Sequence, residues 1–355
     1  MPLDPAVLLD GPRGRRLCLQ VAMSALDACD TDDARDAASS VWWAIRRLDP
    51  APGTLFGDVD GYVVPDVGPA DAARVLAEVS MPVLDEIAVR RALADSVSLA
   101  RYWQEPDGGD VLAATPEMRP VLSRVADAVA ATPWVSWWGS PVALDDQWVV
   151  QWEDAAFDPG DPRALLTEWR REALEEETRA ERERPRDPTA LLGGTWWSTP
   201  SYHLVHTTRS LAGGGASELW HVEDSLGWET ATITPITAPS DRVYEIDGVD
   251  AWIDLCRRHP LPVTASRRHE WYRVTGRDGE WVQPDWAAVA QEFDGVHLTV
   301  AGYLTAATRL IDVGDDRASV LAGWAPDSTY WFAPAAVAGE SERWHDVDAN
   351  DWHRL

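Results

Sequence analysis

Three kinds of side chain in this 355-residue chain could do chemistry: scattered histidines, carboxylates close to some of them, and one concentration of arginine. His206 opens the string HTTR, with Thr207, Thr208 and Arg209, just ahead of Gly213-Gly214-Gly215. Glu223 follows in HVEDSLGW, and Glu292, Asp294 and His297 fall together in QEFDGVHLT. A histidine beside a carboxylate can take up and return a proton near neutral pH. His203 and His206 are three apart, which on a strand sets them on opposite faces, so a shared metal is not expected. No Ser-His-Asp order or paired-carboxylate motif stands out on spacing. Cys18, Cys29 and Cys256 form no CxxC pair and match no histidine spacing, which excludes a zinc knuckle and a disulfide scaffold and points to a reducing, cytoplasmic setting.

Between residues 257 and 277 lie Arg257, Arg258, Arg267, Arg268, Arg273 and Arg277, against the single acid Glu270. Arg-Arg-His occurs there twice, at 257–259 and 267–269. Such a cluster focuses a positive potential, and guanidinium forks suit phosphate. It fits either a phosphorylated ligand or short nucleic-acid segment, or pairing with the acids around it. Those acids are abundant: 59 Asp and Glu against 31 basic residues, a net charge of -28. That balance disfavours nucleic acid in general and would suit a basic protein partner. Every basic residue is arginine, which reflects GC-rich coding before it reflects function. The 21 tryptophans against 4 phenylalanines are expected mainly to fill the core. Exposed indoles at Trp196, Trp197 and Trp271 would instead make a sugar- or base-binding module. No segment has the apolar length of a membrane span, and the N-terminus lacks the order of a signal peptide.

The elements that must position these groups divide at a charged stretch. Residues 1–160 read mainly as helices, with Asp32 and Asp33 capping DARDAASSVWWAIRRL and with Val83, Ile87, Leu93 and Val97 along one face. The Gly/Pro-rich stretch 50–69 allows at most a hairpin. In QWVVQW, Trp148, Val150 and Trp152 alternate with Val149 and Gln151 as in a strand closing this unit. The stretch 161–190 reads as a helix docked at its start through Leu165, Trp169 and Ala173, solvated at its end, and serving as the boundary. Residues 191–355 give candidate strands at 202–208, 229–236, 242–246, 271–275, 296–301, 319–322 and 329–332. Short helices are expected in GVDAWIDLCRR and PDWAAVAQEFD. The fold class expected is α+β, a helical N-terminal domain followed by a mixed-sheet α+β domain.

The strings VYEIDGVDAWIDLCRRHPL, PDWAAVAQEFDGVHLT and LAGWAPDSTYWF, with LVHTTR upstream, resemble a pattern in bacterial and phage proteins with an ADP-ribosyltransferase-like fold. The resemblance covers about residues 200–332. It implies a C-terminal NAD-binding, catalytic domain that transfers ADP-ribose from NAD to an unknown protein or nucleic-acid target, or hydrolyses NAD. In such folds an H-[GT]-T element on the first strand meets the nicotinamide and its ribose. By that likeness His206 and Thr207 would hold the ribose, and Arg267 and Arg268 would meet the phosphates. Thr208, Arg209 and His297 would complete the cofactor-binding set. The departing nicotinamide leaves an oxocarbenium-like ribose, which an acid must stabilise. Glu223, Glu292 or Asp294 would supply that acid. The alternative is a non-enzymatic acidic protein, of immunity or antitoxin type, that neutralises a basic partner.

Overall fold

The computed structural model describes residues 3–50, 65–80, 83–153, 155, 157–223, 227–347 and 351–355. It is 43% helical and 18% strand, with several sheets, so the mixed α and β character expected from the sequence holds. Most of the stretch read as a hairpin, residues 51–64, lies outside the described residues.

Helices come first: α1 (Pro5–Asp10), α2 (Pro12–Asp27), α3 (Asp32–Leu48), α4 (Pro69–Glu78), α5 (Glu86–Ser98), α6 (Gly108–Ala113) and α7 (Arg119–Ala130). Their starts follow capping chemistry. The Thr31 hydroxyl accepts from the Ala34 amide and leaves Asp32 and Asp33 in the first turn of α3, one residue later than expected. Asp85 caps α5 in the same way. The helix therefore begins after Val83, which is fully solvent-exposed, and Ile87 is half-exposed; the buried stripe is Val89, Leu93 and Val97. A Cβ on Gly108 would sit 1.9 Å from the Ile45 carbonyl oxygen, so only glycine lets α6 approach α3 this closely.

The first sheet joins the two ends of the chain. β1 (Gln147–Trp152) pairs antiparallel with β5 (Thr230–Thr237), β5 with β14 (Glu342–Asp346), and β14 with β15 (Trp352–Arg354). β13 (Ala336–Val337) also joins β5. The alternation in β1 holds: Trp148, Val150 and Trp152 pack with Ala231, Ile233 and Trp344, while Val149 packs with Val205, Ile236 and Trp331 behind. The strand expected to close an N-terminal unit is instead paired with C-terminal strands.

A second sheet runs β2 (His206–Thr207), β12 (Thr329–Trp331), β9 (Gly295–Leu298), β6 (Val243–Ile246), with β6 and β9 parallel. A third runs β10 (Ile311–Gly314), β11 (Arg317–Ser319), β8 (Glu280–Pro284), β7 (Pro260–Pro262). β3 (Ser210–Leu211) and β4 (Gly215–Ala216) form a short hairpin. The stretch read as a strand at 202–208 is thus extended only at 206–207, and His203 lies in a turn rather than on a strand face.

Among them lie α8 (Pro162–Glu183), α9 (Val249–Arg258), α10 (Thr264–Thr275), α11 (Trp286–Val289) and α12 (Val300–Ala306). Residues 271–275, expected as strand, are the last turn of α10, because Trp271 and Val274 meet the core three residues apart. Strand 296–301 divides into β9 and α12 at Thr299, whose hydroxyl caps α12. The helix of PDWAAVAQEFD is a single turn.

The end of α8 is exposed at Thr178, Arg179, Glu181, Arg182 and Glu183, as its charge suggested, but one side of it docks. Ala180 is buried, and the Glu177 carboxylate accepts from the Ala265 and Ser266 amides at 2.7 and 2.8 Å, capping α10 from a different helix. One apolar core holds Leu8, Leu17 and Val125 together with Trp252, Trp286 and Trp324, so it crosses the stretch expected as a boundary. Trp252, Trp271, Trp281, Trp286, Trp324 and Trp331 are fully buried, which makes tryptophan core filler here and removes Trp271 from any exposed platform. No described helix is long and apolar enough to cross a membrane.

Candidate active site

The HTTR string is a positioning device. His206 sits opposite Tyr330 across β2 and β12, and its ring stacks on the Tyr330 ring at 5.2 Å. Two residues on, the Thr208 hydroxyl accepts from the Glu218 amide at 3.1 Å. The β3–β4 hairpin returns the chain so that a single 3-10 turn, Ser217–Leu219, presents Glu218 to His206. His206 Nε2 lies 3.0 Å from Glu218 Oε1. The other carboxylate oxygen, Oε2, is buried and meets no hydrogen-bond partner among the described residues. Burial alone would lower the His206 pKa, but the Glu218 carboxylate outweighs it and the net direction is upward. His206 keeps 26% of its side chain exposed, so the pair is reachable from solvent through the imidazole.

Glu223, five residues after Glu218, is held by groups from both ends of the chain. The Tyr102 hydroxyl donates to Glu223 Oε1, and the Tyr303 hydroxyl donates to the same oxygen at 3.1 Å. Its Oε2 is buried without a partner among the described residues. Burial pushes the Glu223 pKa up to about 8, against the opposing pull of the two tyrosines and Arg13. The carboxyl group is therefore mainly protonated at neutral pH, with Oε2 free to carry the proton. Burial, and then the Glu218 and Glu223 carboxylates, raise the pKa of the Tyr330 phenol.

A cleft of about 600 Å³ ends three residues before His206 in the chain, lined by Trp169, Glu172, Trp197, Ser201, Tyr202 and His203, with Arg267 also on its wall. That volume is in the range of small-molecule sites. The Thr199 hydroxyl meets the Tyr330 phenol, and the next four residues, Pro200, Ser201, Tyr202 and His203, line the cleft. Trp197 and Tyr202 are exposed at 38% and 70% and offer ring faces to a ligand. Arg267 is buried, pairs with Glu176 at 3.2 Å, and keeps its Nε without an acceptor among the described residues.

The other residues expected in the site go elsewhere. Thr207 is fully buried, donating to Gln147 Oε1 at 2.5 Å and accepting from the Trp331 indole at 2.8 Å, so it ties sheets together rather than facing a ribose. Thr208 is equally buried and serves Glu218. Arg209 pairs with Asp327 at 2.7 Å and lies over the Trp137 ring. His297 is buried between Glu245, at 2.5 Å, and Asp327, at 3.3 Å, which together raise its pKa against the lowering effect of burial. Asp327 holds this clamp in a left-handed conformation, φ 64°. Glu292 is solvent-exposed and pairs with Arg258, and Asp294 with Arg242, at the far edge of β9. Arg268 donates to the Pro185 carbonyl.

The arginine cluster of 257–277 resolves into internal contacts: Arg257 to the Val313 carbonyl, Arg273 to the Leu192 carbonyl and Glu270, Arg277 to the Glu280 and Asp316 carbonyls. In a chain with so many acids and carbonyls nearby, guanidiniums find partners within the fold. Sequence reasoning missed Glu218, Tyr102, Tyr303 and Tyr330. Only Glu218 left a trace, as a lone acid inside the apolar run Ala216–Trp220. No group of three or more His, Cys, Asp or Glu among the described residues could hold a metal ion. No protein family, curated protein or solved structure matches the chain.

Proposed function

We propose that the chain is an enzyme acting at a glycosidic carbon, with NAD as substrate, transferring or hydrolysing its ADP-ribosyl group. The observation that carries this reading is the pair Glu218 and Glu223: two buried carboxyl groups, each with one oxygen that meets no partner among the described residues, Glu218 held by the solvent-reachable His206 and Glu223 raised by burial. A carboxyl group kept protonated by burial can donate, and a histidine held by a carboxylate can accept a proton. In the proposed step the bond from ribose C1′ to the nicotinamide nitrogen breaks and its electron pair leaves with neutral nicotinamide. Glu218 faces the positive charge that develops on the ribose. His206 takes the proton of the attacking water or acceptor hydroxyl. Protonated Glu223 donates through Oε2 to a ribose oxygen, and Trp197 and Tyr202 stack the rings in the cleft.

Calorimetric titration of NAD into the wild type and Trp197→Ala, with nicotinamide followed in the same samples, tests this. Binding and release by the wild type, with binding about tenfold or more weaker in the variant, is expected. No binding at millimolar NAD overturns it. The acidic-partner reading is favoured by one observation: arginines such as Arg13, Arg16 and Arg267 turn inward, leaving a surplus of carboxylates outside.

A further inference from the structure

A second cleft, of about 310 Å³, lies where α2, α5 and α6 meet the end of α10 and the residues after α12. Its cationic lining is Arg15, Arg101 and Arg309, and its acidic lining is Asp107 and Asp110. Both acids are already committed behind the wall. Asp107 pairs with Arg16 at 2.5 Å, and Asp110 pairs with the fully buried Arg13 and with Arg16. The lining arginines have no comparable neutralisation. Among the described residues Arg15 donates to the Leu9 and Asp10 carbonyls, and Arg101 to the Ser98 and Ala100 carbonyls. Arg309 alone reaches a carboxylate, that of Asp10 at 3.1 Å.

The Arg15 Nε is buried and has no acceptor among the described residues. Burial, and then the neighbouring Arg309 guanidinium, push its pKa down against the opposing Asp110 and Asp10 carboxylates. Thr308, also in the lining, holds a left-handed backbone, φ 59°, rare for a β-branched residue, and its hydroxyl accepts from Arg13 Nε at 3.1 Å. The rest of the wall is apolar, including Leu99, Val111 and Val274. In a chain of net charge -28, a guanidinium-lined pocket with its acids neutralised from behind is selected by something other than the overall charge.

We infer that this cleft binds a small phosphate monoester carrying an apolar or ring body, the guanidiniums holding the phosphate and the apolar wall the body. Guanidinium forks match phosphate oxygens in pairs, which a spherical cation does not do. The cleft shares no lining residue with the one beside residues 200–203, although Arg13 behind its wall also acts on Glu223, and the inference does not rest on the NAD reading.

Titration of phenyl phosphate, inorganic phosphate and benzoate into the full chain tests the inference. Phenyl phosphate is expected to bind most tightly. Arg15→Gln and Arg101→Gln are each expected to weaken it about tenfold or more, with nicotinamide release from NAD unchanged. Ala114→Glu, an exposed lining position where an acid is added without touching the arginines, is expected to abolish binding while leaving the melting temperature in place. Absence of phenyl phosphate binding, equal binding of benzoate, or binding indifferent to all three substitutions overturns the assignment.

Discussion

At the scale of single residues, the buried titratable groups set the pH response. Glu223 has a folded pKa near 8 against 4.5 unfolded, so the folded state holds more protons between those values. Its contribution is present below the unfolded pKa and is lost as pH rises through the folded one. His206 and His297, both raised, act in the same direction above their unfolded value. His221 opposes them: burial and then Arg90 hold its pKa down at about 3, so its contribution is lost as pH falls below the unfolded value of 6.5. Above pH 6.5 the first set still titrates, and stability is expected to fall from pH 7 to 9. Glu223→Gln keeps an acceptor for both tyrosines and removes the ionisation. Chemical denaturation at pH 9 should find it more stable than the wild type by on the order of a few kcal/mol, a difference that shrinks as pH falls toward the unfolded value of 4.5. Equal stability of both proteins across that range contradicts the protonated Glu223.

The same residues show what spacing can reveal. His206 and Glu223 were legible because they flank a glycine-rich turn, yet their partners come from residues 102, 218, 303 and 330, and no local period connects those positions. Glu292 and Asp294 read as well in the sequence as Glu223 did. What separates them is burial, which depends on the tyrosines at 102 and 303 arriving from elsewhere in the chain.

At the scale of elements, helices were read well from their periodic stripes, as in α3 and α9, although Thr31 caps α3 and no side chain caps α9. They were misread where a neighbour supplies the missing piece. RRHEWYRV shows little amphipathic stripe and no local N-cap, but Glu177 of α8 provides the cap and Trp271 and Val274 the buried contacts. Glu177→Ala is expected to cost about 1–2 kcal/mol in denaturant unfolding, the range of a lost helix cap. Glu177→Gln, with one amide oxygen left to accept, should lose less. A loss of under about 0.3 kcal/mol in the alanine variant assigns α10 its stability without this cap. Gly302 makes a second check, since a Cβ there would sit 2.2 Å from the Ile246 carbonyl oxygen. Gly302→Ala forces α12 off β6, and a lowered melting temperature is the expected result.

At the scale of the whole molecule, the helical first half and mixed-sheet second half were legible in the change of hydrophobic period. Their union was not, because β1 finds β5 more than 70 residues away and charge on α8 disguised a docked helix. With one core running through both halves, unfolding is expected as a single transition, with calorimetric and van't Hoff enthalpies in agreement. Two resolved transitions contradict that union. The excess of 28 negative charges should also make moderate salt stabilising, by screening self-repulsion.

The most direct measurement of the proposed chemistry is single-turnover nicotinamide release from NAD by the wild type, Glu218→Gln and Glu223→Gln, each with its fold verified by circular dichroism. Release by the wild type, falling about a hundredfold or more in Glu218→Gln, is the result expected of a carboxylate that faces the reacting ribose. Release by the wild type that persists unchanged in Glu218→Gln, or no release from any of the three, contradicts it.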